Sequence, residues 1–345
     1  MNLDKVRLIG RVMPIENTLW LALSGTGVEF VVTGTEARIT FVADDTWSGV
    51  PENRARVAVY ADGVRVADTL LDKPEVTVTA ICEEEVSTHL VRVIKLSEAA
   101  MSTCGIANIE TDGTVVPAER REKLIEFVGD SITCGYGVDD EDRDHHFATG
   151  TEDVTRAYAY KTAEQLHADY SMVSFSGYGI VSGYTADGEK MEHQLVPDYY
   201  EKFGFSYGTY LGKYKPQEFV WDFTLCQPDI VVVNLGTNDM SYVLDRAERR
   251  EEFIAGYVAF LERIAACNPN TRIVCTLGVM GEALCPAVEE AVSCFEKKQH
   301  LPGRISFVGL DDQLPEDGYV ADWHPTETTH GKVAEKLGRV IGAML

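Results

Sequence analysis

Ile125-Glu126-Phe127-Val128-Gly129-Asp130-Ser131-Ile132-Thr133-Cys134-Gly135 is the stretch whose reading decides the fold. A short apolar run stops at Gly-Asp-Ser, as expected of a strand buried on both faces whose carboxyl end turns into the next element. A serine there projects its hydroxyl from the sheet edge, where neighbouring backbone N–H groups can face a developing oxyanion. Short apolar runs recur at residues 171–175, 230–233, 273–277 and 305–308. Helical patterns lie among them at residues 156–167, 246–267 and 287–297, with a last one from about 327 to 345. Strand and helix in alternation predict a parallel sheet covered by helices on both sides, with its site at the carboxyl ends of the strands.

Working outward, residues 5–110 have a different period. Arg38-Ile39-Thr40-Phe41-Val42, Val57-Ala58-Val59-Tyr60, Glu75-Val76-Thr77-Val78 and Leu90-Val91-Arg92-Val93 alternate, which predicts strands with one face in a core and one in water. Asp62-Gly63 suits a tight hairpin turn. Many short strands without a helical stretch predict an antiparallel β-sandwich, jelly-roll-like. The polar segment 111–123 reads as a linker. The expected division is a β-sandwich domain at residues 1–115 and an α/β domain at residues 116–345.

The 345 residues carry 31 Lys plus Arg against 55 Asp plus Glu, a net charge of −24. Nucleic acid and anionic membranes are therefore not expected as partners, since both need a basic face. Eight cysteines without a paired short spacing predict neither a disulfide framework nor a zinc cage. No apolar window reaches signal-peptide or membrane-span length, so the chain is expected to be cytoplasmic.

Two further segments could bring chemistry to the Ser131 edge. Gly236-Thr237-Asn238-Asp239 follows the third buried strand, where the Asn238 amide could donate to an oxyanion. Asp322-Trp323-His324-Pro325 precedes the last helix and offers His324 as a base, with an acid two residues earlier. Each segment alone reads as an ordinary turn or cap. Their order, all at the same predicted edge, is what gives them weight.

These blocks, with Ser176-Gly177-Tyr178-Gly179, resemble the SGNH (GDSL-type) hydrolase superfamily over roughly residues 124–345. A β-sandwich placed before Gly129-Asp130-Ser131-Ile132-Thr133-Cys134-Gly135-Tyr136-Gly137, and Asp322-Trp323-His324-Pro325 followed by Thr329-His330, resemble carbohydrate esterase family 2. The resemblance implies a three-layer α/β/α hydrolase domain and removal of O-acetyl groups from plant polysaccharides such as xylan and mannan, without metal or organic cofactor. It implies Ser131 as nucleophile, His324 as general base, and an oxyanion hole from the Ser131 and Gly177 N–H groups and the Asn238 side chain. Gly179 and Gly183 are close enough to compete with Gly177 for that role.

The chain departs from the superfamily at the acid, which usually lies three residues before the histidine. That position is Ala321, and the nearest acid is Asp322. Either Asp322 completes a triad, to which the reading leans, or a backbone carbonyl orients the imidazole of a dyad. Trp323 and Tyr178 are candidates to stack on a sugar ring, Trp221 reads as core or rim, and His330 receives no catalytic role. His145-His146, behind an acidic run, reads as a solvated loop rather than a metal site. Two rival functions are a lipid esterase or thioesterase and a non-catalytic carbohydrate-binding protein.

Overall fold

Two sheets organise the chain in the computed structural model, which describes residues 3–300 and 303–345. The first is a nine-stranded antiparallel sheet of β1 (Arg7–Ile9), β2 (Val12–Ile15), β3 (Thr18–Leu21), β4 (Gly27–Ala43), β5 (Arg56–Ala61), β6 (Val64–Leu70), β7 (Glu75–Lys95), β8 (Cys104–Thr111) and β9 (Thr114–Pro117). Strands β4 and β7 pair along nearly their whole length, with register shifts between Gly34 and Glu36 and between Ala37 and Arg38. Such irregularities bend a strand pair. One continuous sheet therefore folds over itself, and Val28, Phe30, Val57 and Val91 share a core with Leu21, Ile39, Phe41 and Ile106.

Residues 75–78 and 90–93, expected as separate short strands, are the two ends of β7. Its middle, Glu83-Glu84-Glu85-Val86, is exposed, so alternation disappears there although pairing continues nearby. The Asp62-Gly63 turn closes β5 on β6, both residues at positive φ. Strand β9 lies within the segment expected as linker and across the expected boundary at 115/116. The connection between the two sheets is residues 118–123.

The second sheet is parallel: β10 (Leu124–Gly129), β11 (Asp169–Ser174), β12 (Ile230–Asn234), β13 (Arg272–Leu277) and β14 (Ile305–Gly309), in the order β11-β10-β12-β13-β14. The helices are α1 (Ser131–Cys134), α2 (Tyr158–Gln165), α3 (Val196–Tyr200), α4 (Thr237–Val243), α5 (Ala247–Cys267), α6 (Cys285–Gln299) and α7 (Glu327–Gly342). On one face Val128, Val233 and Cys275 pack with Tyr257 and Leu261 of α5 and Val288 of α6. On the other, Phe127, Val232 and Val274 pack with Tyr158 of α2 and Leu337 of α7. Burial on both faces is why β10 to β13 read as nearly continuous apolar runs.

The antiparallel sheet shares its core with the parallel one, through Ile9, Ala58, Ile94 and Leu96 against Ile125, Phe127 and Met172. Trp20 stacks on Tyr210 with ring centroids 5.1 Å apart. Arg11 is wholly buried: its guanidinium reaches both Glu126 oxygens at 3.2 and 3.1 Å and lies over the rings of Tyr200, Trp221 and Phe223. Removing one member of such a buried pair costs about 3–5 kcal/mol, so the two domains form one unit. The eight cysteines are free thiols, and no helix among the described residues is long and apolar enough to cross a membrane.

Candidate active site

Strand β10 ends at Gly129, and the Asp130 carboxylate caps α1 by accepting the Ile132 N–H at 3.1 Å. Ser131 is thereby the first residue of a one-turn helix at the carboxyl edge of the sheet. Its Oγ lies 2.9 Å from His324 Nε2. His324 Nδ1 lies 3.1 Å from the carbonyl oxygen of Ala321, so Nδ1–H donates to that carbonyl and Nε2 is left to accept the serine proton. Burial lowers the His324 pKa to about 4, against the opposing pull of the Ala321 bond and the Asp322 charge. The imidazole is accordingly neutral and poised as an acceptor around neutral pH.

His324 stands in a small hairpin of β15 (Tyr319–Val320) and β16 (His324–Pro325), joined by residues 321–323. Asp322 and Trp323 both have positive φ, at 49° and 62°, which costs roughly 1–2 kcal/mol per residue. That double left-handed turn brings the Ala321 carbonyl to the imidazole. The Asp322 N–H donates to His145 O at 3.0 Å, and the Trp323 carbonyl accepts from Gln313 Nε2 at 2.8 Å.

The lean towards Asp322 as the partner of His324 is thus corrected. Its carboxylate accepts from the Tyr136 hydroxyl and pairs with His146 Nδ1 at 2.8 Å, while Nδ1 of His324 goes to a main-chain oxygen. In the left-handed conformation the Asp322 side chain leaves on the side of the 139–147 loop. Burial tends to raise the Asp322 pKa, but the Tyr136 and His146 hydrogen bonds outweigh it and hold it below the ordinary value.

Sequence reasoning missed Tyr136, whose ring stacks on the His324 imidazole with centroids 3.9 Å apart and planes 17° apart. The signal was Gly135-Tyr136-Gly137. At Gly137, with φ of +60°, a Cβ would come within 2.8 Å of Ala321 Cβ, so glycine lets the serine loop touch the histidine turn. The acidic run at residues 139–144 belongs to the same assembly: Arg143 lies 4.2 Å over the Trp323 ring, and His146 pairs with Asp322.

The three candidate glycines separate by their amides. Gly179 N–H donates to Gln194 O and Gly183 N–H to Met191 O, both at 3.0 Å. Gly177, at φ +82°, lines the cleft beside Ser131, and its amide and that of Ser131 have no acceptor among the described residues. Asn238, in the first turn of α4, also lines the cleft, with Nδ2 held by Tyr178 O at 2.9 Å and 3.4 Å from Asp130 Oδ2. Ser131, Gly177, Asn238 and His324 therefore converge on one cleft.

Asp239, passed over as part of a cap, holds this arrangement together. Its buried carboxylate accepts the N–H groups of Ile180, Val181 and Ser182 at 2.8–3.1 Å. Burial raises its pKa to about 6 and that of Asp130 to about 7, in both cases against backbone hydrogen bonds that favour the charged form.

The cleft measures about 760 Å³ and includes Tyr184, Met240, Leu244, Met280 and Trp323. Trp323 is 48% exposed there, whereas Tyr178 is 1% exposed. The expectation that Tyr178 stacks on substrate is corrected: its ring is packed against Phe175, Tyr199 and Phe205, and its carbonyl is what reaches the site. Trp221 is core against Arg11 and Phe203, and His330 is buried in α7, accepting the Tyr158 N–H. Among the described residues a buried grouping of metal-ligating side chains lies outside the cleft, where ligand atoms of Glu98, Cys134 and Glu152 come within 4.8 Å of one another.

Residues 127–332 match the model of the GDSL-like lipase/acylhydrolase family. The chain belongs to that family. Residues 8–118 match the N-terminal domain of carbohydrate esterase 2. The chain is 30% identical over 323 residues to the cellulase/esterase CelE of Acetivibrio thermocellus, covering 92% of this chain and 36% of that protein. It is 29% identical over 197 residues to an acetylxylan esterase/glucomannan deacetylase of Cellvibrio japonicus, covering 54% of this chain and 51% of the relative. The chain thus spans between about a third and a half of these two relatives. An acetyl xylan esterase from the rumen bacterium Butyrivibrio proteoclasticus superposes with a TM-score of 0.87 at 25% identity, over 99% of this chain and 95% of that one. A family two carbohydrate esterase from Clostridium thermocellum, solved in complex with cellohexaose, gives 0.84 at 26% identity, over 97% and 98%.

Proposed function

We propose that this GDSL-family hydrolase is a serine esterase that removes O-acetyl groups from acetylated plant oligosaccharides or polysaccharides of the xylan or mannan type. The observation that carries the reading is the Ser131 Oγ to His324 Nε2 contact of 2.9 Å, with Nδ1 committed to Ala321 O, in an open cleft. Ser131 Oγ attacks the acetyl carbonyl carbon as His324 Nε2 takes its proton. The oxyanion so formed is held by the Ser131 and Gly177 N–H groups and by Asn238 Nδ2, which turns from Asp130. The C–O bond to the sugar breaks, and the leaving oxygen takes the proton from His324. Water, deprotonated by the same nitrogen, then attacks the acetyl-serine, and acetate leaves with Ser131 restored.

The relatives' names support acetylated xylan and glucomannan as the substrate class, and the exposed Trp323 face supports sugar stacking beside the nucleophile. Acetate release from acetylated xylo- and manno-oligosaccharides, compared between the wild type and Ser131→Ala, tests the reading. Release that vanishes in the variant is expected; equal release from both proteins overturns it. The apolar Met240, Leu244 and Met280 favour, as a second reading, an esterase for longer acyl groups. Activity on 4-nitrophenyl esters that falls steeply beyond two or three carbons separates the two.

A further inference from the structure

The antiparallel domain reaches the catalytic edge through one buried acid. Glu98 lies between β7 and β8 and is wholly buried. Its Oε2 accepts the N–H of Ser176 at 2.7 Å and lies 3.5 Å from the thiol of Cys134. Ser176 precedes Gly177, and Cys134 ends the one-turn helix that Ser131 begins. A single carboxyl oxygen thus touches both segments that carry the backbone donors of the oxyanion hole. Cys134 Sγ is also 3.2 Å from Ser174 Oγ, at the end of β11.

Glu98 is itself held on its other side. Its N–H donates to Glu152 Oε2 at 2.7 Å, and its carbonyl accepts from the Lys95 ammonium at 2.9 Å. Burial pushes both Glu98 and Glu152 upward, and the charge of Glu98 raises Glu152 further; Lys95 opposes this for both. Oε2 of Glu98 is taken by Ser176 and Cys134, Lys95 adds a positive charge from the backbone side, and Oε1 of Glu98 and Oε1 of Glu152 are buried without a hydrogen-bond partner, so it is Oε2 that ties the two segments together. A carboxyl group placed here accepts from Ser176 whether or not it carries a proton, because one oxygen remains an acceptor in either state.

We propose that Glu98 is a positioning residue: from the antiparallel domain, it fixes the Ser176 amide and so sets the direction of the Gly177 N–H relative to Ser131. The proposal rests on the reading of Ser131 and Gly177 given above. It assigns the antiparallel domain a part in the chemistry, since without Glu98 the oxyanion loop loses the contact that anchors its first residue.

Three variants test it, assayed with 4-nitrophenyl acetate and with acetylated xylo-oligosaccharide. In Glu98→Ala, kcat should fall roughly 30- to 100-fold, as for a misplaced oxyanion donor, with KM within about threefold. Inhibition by phenylboronic acid, whose tetrahedral adduct with Ser131 uses the same donors, should weaken in step with kcat. Glu98→Gln keeps an oxygen acceptor at the same reach and should restore kcat to within about fivefold of wild type. If Glu98→Ala does not fold, Glu98→Asp, one methylene shorter, replaces it, and kcat below a third of wild type with unchanged KM is expected. Wild-type kcat in a folded Glu98→Ala or Glu98→Asp overturns the proposal, as does a Glu98→Gln variant as slow as Glu98→Ala. A loss carried by KM also overturns it. Activity that survives Ser131→Ala overturns the underlying reading instead, and is seen without any Glu98 variant.

Discussion

The two halves of the proposed catalytic pair are held by opposite means. Ser131 comes from regular structure: a strand buried from Ile125 onward, an aspartate cap and a one-turn helix place its hydroxyl. His324 comes from irregular structure: a two-residue strand, two successive left-handed residues, contacts from Tyr136 and His145 in distant segments, and one from Gln313 close by in the chain. Regular elements carry their geometry in local sequence, whereas a strained turn is maintained only by what packs around it. The nucleophile should therefore tolerate changes in its surroundings better than the base does.

The largest effects should ignore this difference, because the two groups act as a unit. Ser131→Ala and His324→Ala are each expected to lower kcat by about 10⁴-fold or more, and the double variant by little beyond either alone. Steady-state kinetics on an acetylated oligosaccharide checks this. Additive losses would break the pairing and with it the comparison. Asn238→Ala removes one of the proposed oxyanion donors and should cost about 10²–10³-fold in kcat with little change in KM.

How far the sequence carried the reading follows the same division. The five parallel strands are visible as nearly continuous apolar runs because burial leaves few polar positions in them, Glu126 and Ser306 among the exceptions, and Gly-Asp-Ser and Gly-Thr-Asn-Asp stand at the ends of two of them. The bending of one sheet upon itself was not legible, because the buried face passes from Phe30 and Val32 to Ala37, Ile39 and Phe41 across polar Thr35 and Glu36, a phase change that reads as the end of one strand and the start of another. Nor was the partner of His324. An acid two residues before a histidine points to its side only in extended backbone, and Asp322 is left-handed, so its carboxylate goes to Tyr136 and His146. Tyr136 and Glu98 were invisible for a related reason: their partners lie 188 and 78 residues away in the chain.

A smaller substitution sharpens the contrast between the halves. Gly137→Ala adds one carbon where Ala321 Cβ is 2.8 Å away and φ is +60°. The turn that presents the Ala321 carbonyl must move, and the histidine with it. A fall in kcat of roughly tenfold is expected on the general sensitivity of catalytic geometry to shifts near 1 Å. Unchanged kcat would mean that the histidine turn is as robust as the serine helix.

The smallest effect expected is the most discriminating. If Asp322 completed a triad, Asp322→Asn would cost about 10⁴-fold, because the wrong tautomer would be favoured and the imidazolium left unsupported. Here the Ala321 carbonyl fixes the tautomer, and the Asp322 carboxylate, which makes no bond to the imidazole, raises the His324 pKa through its charge against the larger effect of burial. Asp322→Asn should therefore lose less than about tenfold in kcat. The sign of its pH effect is also fixed. The base works when neutral, so kcat/KM of the wild type should hold through pH 6 and fall as pH drops through about 4, where His324 takes a proton. Removing the Asp322 charge makes the imidazole harder to protonate, and the acid limb should move to lower pH. A limb that moves upward, or a loss of thousands-fold, would return Asp322 to the imidazole and make the base no more dependent on backbone than the nucleophile.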